Sequence, residues 1–235
     1  VARFERDCAP LPAPVRVRYR STIPREVGLG GSSAIVIATL RALAQLTGTQ
    51  IAIERLPHIA LACETEELGI AAGLQDRVVQ AYGGLVFMDF ERGVNVPLDA
   101  ALLPPLFVAW HPSAGGASGT AHADVRTRFD VGEPRVVAAM ETLARLAHEA
   151  RAALEQKDRP AFAAALDAGY DVRASIFGLD PRHTAMIAAA RELGLSATYT
   201  GSGGAIAGIA ADPERTAALR RRLQADGVRV EAALV

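Results

Sequence analysis

The run Ile23-Pro24-Arg25-Glu26-Val27-Gly28-Leu29-Gly30-Gly31-Ser32-Ser33-Ala34 crowds glycines and hydroxyls against what reads as the start of a helix. Small residues let a backbone approach a phosphate closely, and the unpaired N–H groups and positive end of a new helix attract its charge. An anion cradle built from Gly28, Leu29, Gly30, Gly31, Ser32, Ser33 and Ala34 is one reading. A plain strand-turn-helix junction with Ser32 as N-cap is the other. The loop is not of the Walker type, which ends in Gly-Lys-Ser/Thr, because it contains no Lys. Further on, Cys63-Glu64-Thr65-Glu66-Glu67-Leu68-Gly69 and Gly73-Leu74-Gln75-Asp76-Arg77 read as an acidic helix end followed by a new turn. Glu64 with a serine hydroxyl would offer the hard oxygen ligands that Mg²⁺ prefers, and Asp76 could take the proton of an acceptor hydroxyl. As isolated carboxylates, both also fit surface charges or helix caps, and Glu66 and Glu67 read as solvent-facing. The third run, Thr200-Gly201-Ser202-Gly203-Gly204-Ala205, predicts positive φ angles or close backbone approach, with Ser202 able to bond an anion. A hairpin turn explains it as well.

These residues need elements to hold them. Val15, Val17 and Tyr19 alternate with Arg16, Arg18 and Arg20, the two-residue period of a half-buried strand with a solvated arginine face. Helical spacing then runs from Ser32 or Ser33 to about Leu46, with Gly48 as stop signal. A second helix is predicted over much of Ile53 to Leu68, with an irregular start at Pro57, and a short one from Gln75 to Tyr82. Leu85 to Met88 reads as a buried strand. Pro97, Pro104 and Pro105 mark a domain junction. Beyond it come a strand from Leu106 to Trp110, a loop over Ser113 to Thr120, and helices near 134–156, 159–177 and 181–193. The close reads strand (Ala197 to Thr200), glycine turn, strand (Ala205 to Ile209), helix (Pro213 to Ala225), strand (Val228 to Ala233). Such an order predicts a small antiparallel sheet covered by helices.

Composition narrows the class. Half of the 235 residues are hydrophobic but only 5% are aromatic, which favours Ala- and Leu-rich helices on sheets, a mixed α and β chain. With 25 Lys plus Arg against 26 Asp plus Glu, the net charge of -1 offers no polyanion-attracting surface, so nucleic acid is not expected as a partner. Cys8 and Cys63 stand in no metal-ligand or disulfide spacing, which points to a reducing, cytoplasmic setting. No run approaches the ~20 apolar residues of a membrane span. The chain opens at Val1 in what reads as mid-domain, so an N-terminal portion of the first domain is expected to be absent.

Taken together and in order, the three motifs resemble those of the galactokinase, homoserine kinase, mevalonate kinase and phosphomevalonate kinase (GHMP) superfamily. The first is similar to its Pro-x-x-x-Gly-Leu-Gly-Ser-Ser-Ala phosphate loop, Gly201 to Ala205 to its late glycine loop, and Glu64 precedes Asp76 by twelve positions, as the magnesium-binding Glu precedes the catalytic Asp in galactokinases. Ile23-Pro24-Arg25, Gly31 to Ile35, Glu67 to Ile70, Ala72 to Arg77, Tyr82 to Val86, Leu102 to Leu106 and Thr200 to Ala205 resemble the glucuronokinases within it. The resemblance implies an α+β fold with an N-terminal α/β domain at 1–98, lacking its first part, and a ferredoxin-like C-terminal domain at 104–235. It implies ATP held by Gly28 to Ala34 and Gly201 to Gly204, Mg²⁺ on Ser33 and Glu64 with Ser32 as the alternative hydroxyl, and catalysis by Asp76 and Arg77. Arg77 would tune Asp76 or face a substrate carboxylate, and Ser118, His122 and Arg126 are further candidate contacts. The substrate would be a sugar or sugar acid, phosphorylated to a 1-phosphate by a monomer or homodimer; galactose, fucose, a heptose phosphate, mevalonate or a non-catalytic regulatory role are the alternatives. Two departures stand out: Glu26 replaces a common Gly, and one extra residue precedes the serine pair.

Overall fold

The computed structural model describes residues 1–70, 72–112, 119–201 and 203–233, and for 119–123 the backbone alone. The chain divides into two compact units: Val1–Ile23 with Gly30–Leu98, and Pro24–Leu29 with Asp99–Val235. The first glycine-rich run is therefore shared, its first half folding with the second unit and its second half with the first.

In the first unit, helices α1 (Ala2–Asp7), α2 (Gly31–Thr47), α3 (Leu56–Ala62) and α4 (Gln75–Tyr82) precede a hairpin of β1 (Leu85–Asp89) and β2 (Val94–Leu98). Helix α2 buries Ile37, Leu40 and Leu43, spaced three apart on one face, against Phe4, Leu56, Ile59, Ala60 and Ala81. Gly48 closes it at φ 68°, as the sequence predicts. The second predicted helix begins at Leu56, with Pro57 in its first turn where the irregular start was predicted, because proline suits a first helical turn and not an interior. It widens at its end into a π-helical turn, Cys63–Glu67. Strand β1 is half-buried along its length, less covered than its apolar sequence suggests, since β2 is its sole strand partner among the described residues.

One expectation fails in this unit. Val15 packs on the helical core, but Val17 and Tyr19 are 45% and 67% exposed, and no strand forms over 15–19. Alternation marks a strand only where a neighbouring ladder takes up its N–H and C=O groups, and none does so among the described residues.

The second unit is built on β3 (Leu106–Trp110), β4 (Ala197–Tyr199), β5 (Ala205–Ile209) and β6 (Arg229–Ala233), an antiparallel sheet in the order β4-β5-β3-β6. Four helices, α5 (Gly119–Asp130), α6 (Pro134–Glu155), α7 (Arg159–Ile176) and α8 (Pro181–Glu192), fill the β3-to-β4 crossover, and α9 (Pro213–Ala225) joins β5 to β6. With the crossover helices counted as one layer, this is the ferredoxin-like split β-α-β arrangement. Phe107, Ile206, Val230 and Tyr199 from the sheet meet Met186 and Ile187 of α8 and Leu219 and Leu223 of α9 in one core. The helix starts follow from sequence: Asp158, Asp180 and Asp212 each accept from a backbone N–H of the first turn and are followed within two residues by Pro. Helix α5 was not foreseen. Val125 is buried but Phe129 is 43% exposed, so its apolar period is faint. Of the loop predicted over Ser113 to Thr120, residues 113–118 lie outside the described residues, and Gly119 and Thr120 already belong to α5.

Candidate active site

In the first unit, Gly30 caps α2 in the left-handed conformation, φ 66°, and the first intrahelical bond runs from Ala34 N–H to Gly30 C=O at 3.0 Å. The N–H groups of Gly31, Ser32 and Ser33 precede that bond, at the positive end of a 17-residue helix with no acid in its first turn. Ser33 is fully buried and its hydroxyl donates to Gly30 C=O at 2.8 Å. The hydroxyl of Ser32 instead donates to Glu64 Oε1.

Glu64 reaches this place because the π-helical turn rotates it inward; Ile70 N–H closes the turn on Glu64 C=O at 2.8 Å. Its side chain is 1% exposed. The other carboxylate oxygen, Oε2, accepts from Arg77 Nε at 2.6 Å and from a terminal guanidinium nitrogen, while the second terminal nitrogen donates to Gly73 C=O at 2.8 Å. The two oxygens of Glu64 thus have separate tasks, Oε1 facing Ser32 and Oε2 held by Arg77. Asp76, in the first turn of α4, is 45% exposed, with Oδ2 3.9 Å from Arg77. A Cβ added to Gly30 would lie 3.9 Å from Asp76 Cγ and 3.4 Å from Gln80 Nε2, so α4 presents Asp76 and Gln80 to the cap of α2. Chemically, this is a helix N-terminus flanked by two carboxylates, one buried and fixed, the other open to solvent. Among the described residues no group of three or more His, Cys, Asp or Glu is gathered as a metal cage.

In the second unit, Val27 and Gly28 pack against the late glycine turn at distances that only glycine allows. A Cβ on Gly28 would stand 2.7 Å from the carbonyl oxygens of Thr200 and Gly203, one on Gly201 would stand 2.8 Å from Gly28 C=O, and one on Gly204 would stand 2.6 Å from Val27 Cα. Gly28, Gly201, Gly203 and Gly204 all have positive φ. The turn is closed by Gly203 N–H to Thr200 C=O at 2.8 Å and Thr200 N–H to Ala205 C=O at 3.0 Å. Glu26, which stands where many members of the resembling superfamily carry Gly, has φ 60°, so the conformation that favours Gly is kept without it. Ser202 lies outside the described residues, as do Ser118 and the side chain of His122; Arg126 forms an exposed surface pair with Asp130 at 3.2 Å.

Three contributions were not read from the sequence. Arg77 hydrogen-bonds Glu64 across thirteen positions, besides its longer ion pair of 3.9 Å with the adjacent Asp76. Arg173 donates to Tyr199 C=O at 2.9 Å and Gly201 C=O at 2.7 Å. His183 brings Nδ1 to 3.1 Å from where a Gly203 Cβ would be, and burial pushes its imidazole below the ordinary pKa, with Arg182 acting in the same sense and Asp180 opposing. No local spacing signals contacts of this kind, because each joins segments distant in sequence.

Residues 1–84 match the family model of the GHMP kinases N terminal domain, and residues 150–229 that of the GHMP kinases C terminal. The chain belongs to the GHMP kinases. This GHMP kinase chain is 39% identical over 201 residues to Glucuronokinase 1 of Arabidopsis thaliana, covering 80% of the chain and 55% of that protein. It is 41% identical over 202 residues to Probable glucuronokinase 2 of the same plant, with the same coverage of 80% and 55%. The chain therefore spans just over half the length of these relatives. Among solved structures, Lactococcus lactis galactokinase complexed with galactose superposes with a TM-score of 0.74 at 15% identity, over 91% of this chain and 67% of that one, a likeness of fold.

Proposed function

We propose that this GHMP kinase chain is the larger part of an ATP-dependent sugar-acid kinase that converts glucuronate to glucuronate 1-phosphate. The observation that carries the reading is the arrangement at the α2 N-terminus: Ser32 on Glu64, Glu64 fixed by Arg77, and Asp76 beside the Gly30 cap. The identity to two glucuronokinases supports the choice of acceptor.

In this reading the backbone of Gly28 to Ala34 and of Gly201 to Gly204 binds ATP phosphates through N–H groups and the α2 dipole. The hydroxyl of Ser32 and Oε1 of Glu64 form a hard oxygen pair that fits Mg²⁺, an ion that keeps several water or phosphate ligands and needs no all-protein cage. When bound there, Mg²⁺ would neutralise phosphate charge. Of the two hydroxyls, the geometry favours Ser32, which touches Glu64, over Ser33, which the resemblance singles out and which donates to Gly30. Asp76, open to solvent, accepts the proton of the anomeric hydroxyl as it attacks. Arg77 positions Glu64 and lies near Asp76; buried as it is, it is better suited to that task than to facing a substrate carboxylate. Phosphoryl transfer asks mainly for such positioning and charge neutralisation. We assign residues 1–98 to the N-terminal and 104–235 to the C-terminal domain of a cytoplasmic monomer or homodimer; among the described residues no helix is long and apolar enough to cross a membrane.

The test is ADP release by the full-length protein with Mg²⁺, ATP and a panel of glucuronate, galacturonate, galactose, fucose, a heptose phosphate and mevalonate. Turnover confined to a sugar acid supports the reading. Turnover with another acceptor moves the substrate within the family, and ATP binding without turnover with any acceptor overturns the kinase assignment in favour of a regulatory role.

A further inference from the structure

Helix α7 runs alongside β4, the strand that leads into the late glycine turn, and holds it at both ends. At the entry, Asp167 accepts from Ser196 Oγ at 2.7 Å and from Ala197 N–H at 3.3 Å. At the exit, Arg173 donates to the carbonyls of Tyr199 and Gly201 at 2.9 and 2.7 Å. The six residue steps from Asp167 to Arg173 rise roughly 9 Å along the helix, and the three steps from Ser196 to Tyr199 span about 10 Å, so the spacing along α7 matches that along β4.

Arg173 is unusual for a guanidinium. Its carbon lies 3.8 Å from the Tyr199 ring centroid and 5.9 Å from that of Phe177, and its charge is answered by carbonyls and ring faces and by no carboxylate among the described residues. Burial lowers its pKa from the ordinary value. Tyr199 is in turn braced edge-on by Tyr170, ring centroids 6.0 Å apart, and Tyr170 lies under Arg191 at 4.8 Å. A planar fork that makes two directed bonds while stacked on a ring has little freedom to shift, unlike an ammonium in the same place.

The geometry points to Arg173 as a positioning residue for nucleotide binding: it fixes the Tyr199 and Gly201 carbonyls, and with them the glycine turn that packs on Gly28. The inference rests on the nucleotide reading of these loops. Gly201 stands at φ 42° with its would-be Cβ 2.8 Å from Gly28 C=O, so a small displacement of this peptide is transmitted directly to the Val27–Gly28 backbone. The partly desolvated charge behind the turn also favours an anion in front of it.

The experiment compares wild type, Arg173→Met, Arg173→Lys and Asp167→Asn by calorimetric titration with ADP and with ATP, alongside melting curves and the Michaelis constants for both substrates. Arg173→Met is expected to weaken nucleotide binding about tenfold and raise KM for ATP while KM for the acceptor changes less than about twofold; Arg173→Lys should fall between, because it keeps the charge but not the fork. Asp167→Asn, which loosens the far end of β4 and the Asp167–Arg191 pair at 3.7 Å, is expected to lower the melting temperature with little change in nucleotide affinity. A folded Arg173→Met that binds ADP as wild type does overturns the inference, as does an equal effect on both Michaelis constants. Should Arg173→Met not fold, Arg173→Lys decides on the same readouts. Wild-type protein that binds no nucleotide would instead refute the underlying reading of the loops.

Discussion

Replacing Arg77 by Met would strand the Glu64 carboxylate. Its side chain is 1% exposed and that of Arg77 8%. Two guanidinium nitrogens serve Oε2, the bond from Nε at 2.6 Å, and a third satisfies Gly73 C=O at 2.8 Å. After the substitution, the buried carboxylate keeps one neutral donor, the Ser32 hydroxyl, and Gly73 loses its side-chain partner. Breaking a buried ion pair from one side costs about 3–5 kcal/mol, since the remaining charge is uncompensated. For a chain of this size, each 1 kcal/mol lowers the melting temperature by about 2–4 °C, so the single variant should melt roughly 6–20 °C below wild type. Removing the charge as well, in Glu64→Gln with Arg77→Met, takes away the stranded ion and should recover most of that loss, a coupling far larger than distant sites show. The assay is thermal unfolding followed by circular dichroism, with urea unfolding as a second probe. The double variant should regain stability but not turnover, because it lacks the carboxylate assigned to the metal. An Arg77→Met protein that melts within about 2 °C of wild type, an effect below 1 kcal/mol, would refute the argument that this pair is desolvated and mutually dependent.

Gly204→Ala forces a side chain to φ 104° and to 2.6 Å from Val27 Cα, so a loss of about 1–3 kcal/mol from backbone strain, and weaker nucleotide binding, should appear in melts and titrations. Ser32→Ala should raise the Mg²⁺ concentration for half-maximal turnover more than Ser33→Ala does, whereas Ser33→Ala should cost more stability, since only Ser33 is buried; a Mg²⁺ titration and a melt of each separate the two. His183 titrates below its ordinary value in the folded state, so the unfolded chain binds the proton first. Its contribution is fully present above about pH 6.5 and is lost as pH falls through the folded value. The paired carboxylates Glu133 and Asp180, the latter held down to about 2, add their losses at lower pH. Unfolding free energies across pH 4 to 8 should therefore decline on the acid side, and His183→Gln should flatten the part that begins just below pH 6.5.

Much of this architecture is written locally. Asp-Pro starts, the Gly48 stop and the β-β-α-β close each rest on a turn or cap whose chemistry lies within a few residues, and each is found where the sequence predicts. The segment around Val15 to Tyr19 shows the limit, for its period is that of a strand while the ladder that would complete one depends on other parts of the molecule. The same holds in the site. That Glu64, Asp76 and the serine pair lie near one another was legible only through the family resemblance, and which oxygen faces which hydroxyl was not legible at all, because a π-helical turn sets the direction of Glu64 and Arg77 sets the use of its two oxygens. Arg77 reads in sequence as a neighbour of Asp76, which it does approach to 3.9 Å, but its hydrogen bonds go to Glu64 and Gly73. Arg173 carries no motif at all, and its part in the glycine turn follows only from the packing of α7 along β4.

The most direct test of the central claim is phosphorus NMR of the full-length protein incubated with Mg²⁺, ATP and glucuronate, with Asp76→Asn run in parallel. Asp76 is 45% exposed, so the substitution should change stability by no more than about 0.5 kcal/mol and report on chemistry alone. The account predicts that wild type gives a phosphate ester on the anomeric carbon of glucuronate, with one ADP per ester, and that folded Asp76→Asn gives none. Ester formation at an undiminished rate in Asp76→Asn, or no sugar phosphate from wild type, would contradict it.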